Sequence, residues 1–255
     1  MRLQLEVAAI FLSDTHLGTR DCQAEALLDF LDNVTAKKYY LNGDILDLWR
    51  IAQNKWVWYP SHTAVCNKFL QIAADPDNEV SYEPGNHDET FRFLAKFGFL
   101  VGNIIVTNET THVGINGKRY LVTHGDLYDG IGSLAPWLAH VGDKAYDMIL
   151  RVNSWFNAAR RQFGFGYWSL SKWMKSQVKS AVGFIFQFEK NLAAHAERLE
   201  YDGVICGHIH HAEIKRIGRI DYMNSGDWVE SCSALVEHLD GRWEIIYWKV
   251  GNGNK

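Results

Sequence analysis

Seven side chains in this 255-residue chain could share one chemistry: Asp14, His16, Asp44, Asn86, His124, His208 and His210. They fall in five short signatures, in order: Asp14-Thr15-His16, Gly43-Asp44, Gly85-Asn86-His87-Asp88, His124-Gly125-Asp126 and Gly207-His208-Ile209-His210. Carboxylate and amide oxygens suit hard divalent ions, and imidazoles suit transition metals. No signature carries a thiolate, which speaks against a structural zinc cage. Seven donors exceed one tetrahedral site but fit two neighbouring ions that share a bridging carboxylate. Two ions about 3.5–4 Å apart clamp an in-line displacement at phosphorus and lower the pKa of a bridging water. In Asp14-x-His16 and His208-x-His210 the paired donors share a face if the segment is extended. The glycines before Asp44, Asn86 and His208 permit tight or positive-φ turns close to a metal or phosphate.

These signatures must be brought together across almost two hundred residues, and the text before each one says how. Ala8 to Leu12 is a continuous apolar run ending at Ser13-Asp14, as a buried parallel strand would be. Lys38 to Leu41, Val80 to Tyr82, Tyr120 to Val122 and Val204 to Cys206 likewise lead into the other four. Helical spacing appears between them, over Gln23 to Leu31 and over residues 61–74. Ile104 to Val106 and Thr111 to Ile115 read as strands, and Asn116-Gly117 predicts a type I′ hairpin turn. Glu213 to Met223 and Ala234 to Trp248 read as two more hairpins, around Gly218 and Asp240-Gly241. Strands alternating with helices predict a layered α/β sheet whose strand ends converge.

From about Tyr128 to Glu200 the texture changes. Strand patterns vanish, aromatics crowd in from Trp137 to Phe188, and long helices broken near Gly164 and Gly166 are expected. Between Arg151 and Arg198 eight Lys/Arg oppose two Glu, a local charge of +6 in a chain of net −4. We therefore divide the chain into a core, residues 1–127 and 201–255, and an inserted cap, residues 128–200. The whole chain has no basic field that would argue for nucleic acid. Four widely spaced cysteines without a CxxC read as reduced thiols of a cytosolic protein. The N-terminus does not read as a signal peptide, and no apolar run reaches the roughly 18 residues of a membrane span.

The ordered signatures resemble the calcineurin-like metallophosphoesterase superfamily. That resemblance implies a two-sheet α/β sandwich of four layers (α/β/β/α) with the site at the strand ends. It implies a first ion held by Asp14, His16, Asp44 and His210, and a second by Asp44, Asn86, His124 and His208. It also implies attack by a metal-bridging hydroxide, with His87 at a phosphoryl or leaving oxygen and Asp88 nearby to orient it. An imidazole with pKa near 6.5 serves as an acid at neutral pH. Manganese is the first expectation, before zinc, iron and magnesium.

Ser13-Asp14-Thr15-His16-Leu17-Gly18, Gly43-Asp44-Ile45-Leu46-Asp47-Leu48-Trp49, the insert and Gly226-Asp227-Trp228 are similar to the UDP-2,3-diacylglucosamine diphosphatases of lipid A synthesis. Those enzymes split a pyrophosphate to release UMP and a diacylglucosamine 1-phosphate. Their best-known branch has Arg where this chain has His87. The resemblance implies a nucleotide-linked lipid as substrate, and a cytoplasmic protein in peripheral contact with the inner membrane through residues 128–200. Arg160, Arg161 and Lys172 would then meet phosphate or anionic lipid heads. The insert has a second reading, a small separate core with a solvated lysine face. A phosphatase or phosphodiesterase for a soluble substrate, and a non-catalytic scaffold, are the rival functions. Outside the signatures, His62, His112, His140, His195 and His238 read as packing or surface residues, and His211 as facing away from His210. Asp126 is weighed as a partner for His124 against a turn role.

Overall fold

The computed structural model describes residues 4–97, 100–129 and 170–249. The chain divides into two compact units, residues 1–128 with 192–255, and residues 129–191. In the first unit a seven-stranded sheet and a five-stranded sheet carry the candidate site.

The larger sheet is built on β2 (Ala9–Leu12), β4 (Lys38–Leu41), β5 (Glu79–Tyr82) and β7 (Ile104–Val106), which run parallel in that order. Between β2 and β5 the chain crosses over through α1 (Ala24–Asn33) and α3 (Pro60–Ala74), with the short α2 (Trp49–Ala52) in the second connection. The antiparallel β13 (Ser233–Glu237) and β14 (Trp243–Tyr247) extend one edge. β6 (Leu100–Val101), reached through α4 (Thr90–Ala95), closes the other. A separate pair, β1 (Leu5–Glu6) with β3 (Val34–Thr35), lies outside both sheets.

In the smaller sheet β9 (Arg119–Val122) and β12 (Ile220–Asn224) flank β10 (Gly203–Cys206) in parallel. β8 (Thr110–Val113) and β11 (Glu213–Ile217) close its two edges antiparallel.

Alternation along the strands sorts the core. Ile10, Leu12, Tyr39, Leu41, Val80 and Tyr82 face α1 and α3, where Leu27, Phe30, Val65, Phe69 and Trp228 complete one cluster. Ala9, Phe11, Tyr40 and Leu235 face the other way and meet Tyr120, Val122, Ile205 and Met223 of the smaller sheet. Phe11 and Tyr40 stack there at 4.5 Å between centroids. Each of β2 and β10 is buried along its whole length, which is why each reads as an unbroken apolar run. Both helices begin and run where the sequence places them. In α1 the buried positions follow three- and four-residue spacing, and Pro60 opens α3 where its missing N–H costs nothing.

The hairpin between β8 and β9 forms, but its turn differs from the expected type I′. Only Gly117 has positive φ, +77°, and its N–H bonds to the Gly114 carbonyl, while the Gly114 N–H bonds to Lys118. Asn116 stays in the ordinary region, so the single left-handed residue follows the turn as a bulge. Its Oδ1 accepts from the Lys118 N–H instead.

The helix α5 (Leu170–Arg198) begins in the second unit and ends in the first, where Leu192, Ala193 and Ala196 are buried. Trp137 to Trp168, with Arg160 and Arg161, lie outside the described residues; Lys172 falls in the first turn of α5. Among the described residues no helix is long and apolar enough to cross a membrane. Cys22, Cys66, Cys206 and Cys232 are free thiols.

Trp228 is fully buried against Phe30, and its backbone N–H bonds to the carbonyl of Asp14. Trp228→Ala should cost about 3–5 kcal/mol by loss of packing and cavity formation. Urea unfolding followed by circular dichroism reads this as a lower midpoint; an unchanged midpoint would show that the site is not part of the core.

Candidate metal centre

All five signatures lie beyond the carboxyl ends of parallel strands: β2, β4 and β5 from the larger sheet, β9 and β10 from the smaller. Backbone bonds then zip the loops together. Asp14, His16 and Leu17 donate to the carbonyls of Gly43, Asp44 and Ile45, and Asp47 donates back to Leu17. Within the smaller sheet's loops the Gly207 N–H donates to the His124 carbonyl, and across the sheets the His208 N–H donates to Asp14 Oδ2 at 2.9 Å.

The result is a tight donor cluster. His210 Nε2 lies 3.2 Å from Asp14 Oδ1 and 3.3 Å from His16 Nε2. His16 Nε2 is 3.9 Å from both Asp14 Oδ1 and Asp44 Oδ2. His124 Nε2 lies 3.4 Å from that same Asp44 oxygen, and the His208 ring sits 5.3 Å from the His124 ring. Asp14–His16–His210, Asp14–Asp44–His124 and His16–Asp44–His87 each present donor atoms close enough to hold one ion. Asp14 is common to the first two groups and Asp44 to the last two.

The backbone reaches this arrangement in a way that the sequence reading did not foresee. Asp14, His16, Asp44, His208 and His210 all have positive φ, from 47° to 70°. Neither Asp-x-His nor His-x-His is an extended segment, so shared strand face is not what aims the donors. The donors themselves turn left-handed, a state that costs roughly 1–3 kcal/mol per residue and persists only where surroundings enforce it. Gly85 and Gly207 supply room more than rotation. A Cβ at Gly85 would strike Asp44 and His124, and one at Gly207 would strike Ser13 and Asp14.

Asp88 does not orient His87, which corrects the expectation for that pair. Its buried carboxylate accepts the N–H groups of Asp44, Ile45, Leu46 and Gly85 and the hydroxyl of Tyr82. Asp88 thus organises the two loops that carry Asp44 and Asn86. The residue on His87 is Asp47, three positions after Asp44, with Oδ2 3.1 Å from His87 Nδ1 and 3.3 Å from His16 Nδ1. A second carboxylate one turn past a ligand was the available signal. Trp49 packs its ring against His87 at 4.2 Å. Asp126 pairs with Arg92, and the bond that fixes His124 comes from elsewhere: Nδ1 donates to the Asn42 carbonyl at 2.8 Å, leaving Nε2 to face Asp44. His211 turns to solvent near Glu213, and His62, His112 and His238 all have hydrogen-bond or ionic partners in the fold.

Electrostatics at the cluster are extreme. Burial opposes the charge of Asp14, but His210 beside it outweighs burial and holds its carboxyl at about 2. Asp44 is held lower still, with burial overcome chiefly by His124. Burial alone would push His124 and His210 down, yet the carboxylates raise them to about 10 and about 9. His208 is lowered, by burial and by the like charge of His124. For His87 burial acts downward, and Asp47 with Asp44 more than reverses it.

The donors fit a divalent cation. Asp14 Oδ1, Asn86 Oδ1 and His124 Nε2 are buried with no properly aligned hydrogen bond, an arrangement that costs free energy unless something else satisfies them.

The profile of the calcineurin-like phosphoesterases matches residues 9–212. The DNA polymerase II small subunit of Pyrococcus abyssi (strain GE5 / Orsay) is 24% identical over 168 residues, 54% of this chain and 27% of that protein. The chain thus spans about a quarter of the length of this curated relative. Among solved structures, an archaeal phosphodiesterase is similar over 93% of this chain and 98% of its own, at 13% identity and a TM-score of 0.45. The phosphoesterase Yfce from E. coli is similar over 94% and 99%, at 14% identity and 0.45. Zinc-complexed Vps29 from Entamoeba histolytica is similar over 93% and 96%, at 12% identity and 0.43. With the family profile covering most of the chain and all five donor loops, the chain belongs to the calcineurin-like phosphoesterase family.

Proposed function

We propose that the protein is a metal-dependent phosphohydrolase that cleaves a phosphoric anhydride, the pyrophosphate of UDP-2,3-diacylglucosamine, to UMP and a diacylglucosamine 1-phosphate. One observation carries the hydrolase reading: three buried donor atoms drawn from both sheets, Asp14 Oδ1, Asn86 Oδ1 and His124 Nε2, have no aligned hydrogen bond of their own. Asp14, His16, Asp44 and His210 would hold one cation, and Asp44, Asn86, His124 and His208 the other. When bound, such a pair supplies Lewis acidity at the phosphoryl oxygens and lowers the pKa of water. Manganese is our first choice.

The protein's own groups divide the remaining work. Asp47 lies 3.1 Å from His87 Nδ1 and favours the charged ring, which leaves Nε2 as the nitrogen for a proton transfer to the leaving oxygen. Trp49 limits the freedom of that ring. The lipid reading draws on the resemblance around Gly43 to Trp49 and on the aromatic, basic insert that starts directly after the His124 loop. Apolar walls there would favour an acyl chain by about 0.8 kcal/mol per buried CH₂. Arg160, Arg161 and Lys172 would meet its phosphate, at the cytoplasmic face of the inner membrane.

Proton and metal compete for the same nitrogens, which fixes a sign. His124 and His210 are raised far above the unfolded value of about 6.5. Their contribution to stability in the chelated protein is complete below that value and is lost as pH rises through about 9 and 10. The melting temperature of the chelated protein should therefore fall between neutral pH and pH 10, and added Mn²⁺ should abolish the slope. Scanning calorimetry reads this; a flat profile without metal would contradict the charge arrangement.

Asp44→Ala and His124→Ala should each lose bound metal and all turnover. His87→Ala should keep its metal, measured by plasma emission spectrometry, and lose about 10²–10⁴-fold in kcat. Wild-type hydrolysis by washed, metal-free Asp44→Ala would end the proposal.

Detergent-dispersed UDP-diacylglucosamine assayed for UMP release tests the substrate. Release at rates well above those on water-soluble phosphoesters is the expected result. Activity confined to soluble esters would replace the lipid pyrophosphate with a soluble phosphodiester or phosphomonoester.

A further inference from the structure

A cavity of about 500 Å³ opens beside the metal centre, lined by Thr19, Arg20, Asp21, Arg50, Lys55 and Trp56 among others. None of these residues is part of the donor cluster, but two of them are tied to it. Arg50 Nε lies 3.9 Å from Asp47 Oδ2, the oxygen that touches both His16 and His87. Thr19 sits three residues past His16 and bonds to its carbonyl through both N–H and hydroxyl.

The connection is built rather than incidental. Trp56 lies so close on Gly18 that any Cβ there would collide with its ring, and the Val57 N–H bonds to the Gly18 carbonyl. Gly18 itself has a φ of +106°. Its N–H reaches His62 Nδ1 at 3.3 Å. Trp58 stacks on the far side of Trp56 at 5.1 Å. The far wall is thus held to the loop that carries Asp14 and His16.

The charge of the cavity runs against that of the chain. Arg20, Arg50 and Lys55 face one carboxylate, Asp21, while the chain as a whole is net −4. Among the described residues, Arg20 and Lys55 have no ion-pair partner. Unpaired cations around a concave space, beside a centre suited to phosphoryl groups, select for a second oxyanion. Guanidinium groups match phosphate geometry especially well.

We infer that this cavity is an anion subsite that holds the second phosphate of a pyrophosphate-linked substrate while the first lies at the metal centre. The inference rests on the phosphohydrolase reading and adds a selection rule to it. A substrate with two linked phosphates engages both places, and an ester with a single phosphorus engages only one. Arg20 and Lys55 are specificity residues in this scheme, acting on binding and not on the reacting bond.

The test compares the Mn²⁺-loaded wild type with Arg20→Ala/Lys55→Ala, whose exposed side chains can be removed without opening the core. UDP-glucose serves as a pyrophosphate diester and bis(p-nitrophenyl) phosphate as a single-phosphorus ester. The double variant should raise KM for UDP-glucose about tenfold or more, the scale of lost charged hydrogen bonds. Its kcat, and its kcat/KM on the single-phosphorus ester, should stay within about twofold of wild type. Equal losses on both substrates, or none on either, would overturn the subsite.

Calorimetric titration of both proteins with methylene diphosphonate and with orthophosphate gives a readout that needs no turnover. Diphosphonate should bind the wild type more tightly than orthophosphate, and the double variant should lose that margin. Orthophosphate binding as tightly, and lost in parallel, would make the cavity an isolated phosphate site and refute the linked-phosphate assignment. A wild type that hydrolyses no phosphoester would defeat the proposed function, while this titration would still decide the subsite.

Discussion

Two carboxylates, Asp14 and Asp44, are buried at the junction of two sheets, and the rest of the molecule is arranged around that fact. An ionised carboxylate out of water is costly unless positive charge stands beside it. Here the charge comes from His210, 3.2 Å from Asp14, and His124, 3.4 Å from Asp44. Histidines in that setting are driven to bind either a proton or a metal. The same geometry therefore explains the raised imidazoles, the depressed carboxyls and the readiness for divalent cations.

Such crowding needs a scaffold that does not relax. The loops carrying the two carboxylates run side by side on backbone hydrogen bonds, and the Asp88 carboxylate collects four N–H groups beneath them. From the other direction, Ser13 Oγ bonds to Ser225 Oγ and to the Gly226 carbonyl, and Trp228 bonds to Asp14. Asp227 closes its own turn by accepting from Val229, Glu230 and Ser231. The segment Gly226-Asp227-Trp228 is thus a brace behind the donor loops. Fold stability and site geometry share these bonds.

Much of this was legible in the sequence for identifiable reasons. Unbroken apolar runs such as Ala9 to Leu12 announce strands buried on both faces, and the polar residue that ends each run marks the loop. That logic placed every strand leading into a donor, and the two hairpins around Gly218 and Asp240-Gly241. What it missed depends on which atoms meet across the chain. Asp88 and Asp47 are both carboxylates near a ligand, and only the fold decides that Asp88 takes backbone N–H groups while Asp47 takes His87. The bond from His124 to the Asn42 carbonyl carries no side-chain signature at all. The left-handed turn of the donors was likewise hidden, because glycine is the residue one scans for, and at Gly85 and Gly207 glycine serves a different need.

Those left-handed donors restrict what mutation can reach. Among residues with a Cβ, asparagine, aspartate and histidine are the types that enter this backbone region most readily, and β-branched residues enter it least. The residues that the backbone tolerates are therefore the same few that bring a hard oxygen or an imidazole. Exchange within that set would alter ligand charge and softness while leaving the loop path intact, so ion preference could drift in small steps along a lineage without the fold being rebuilt. Exit from the set would meet a steric barrier before any selection on catalysis began.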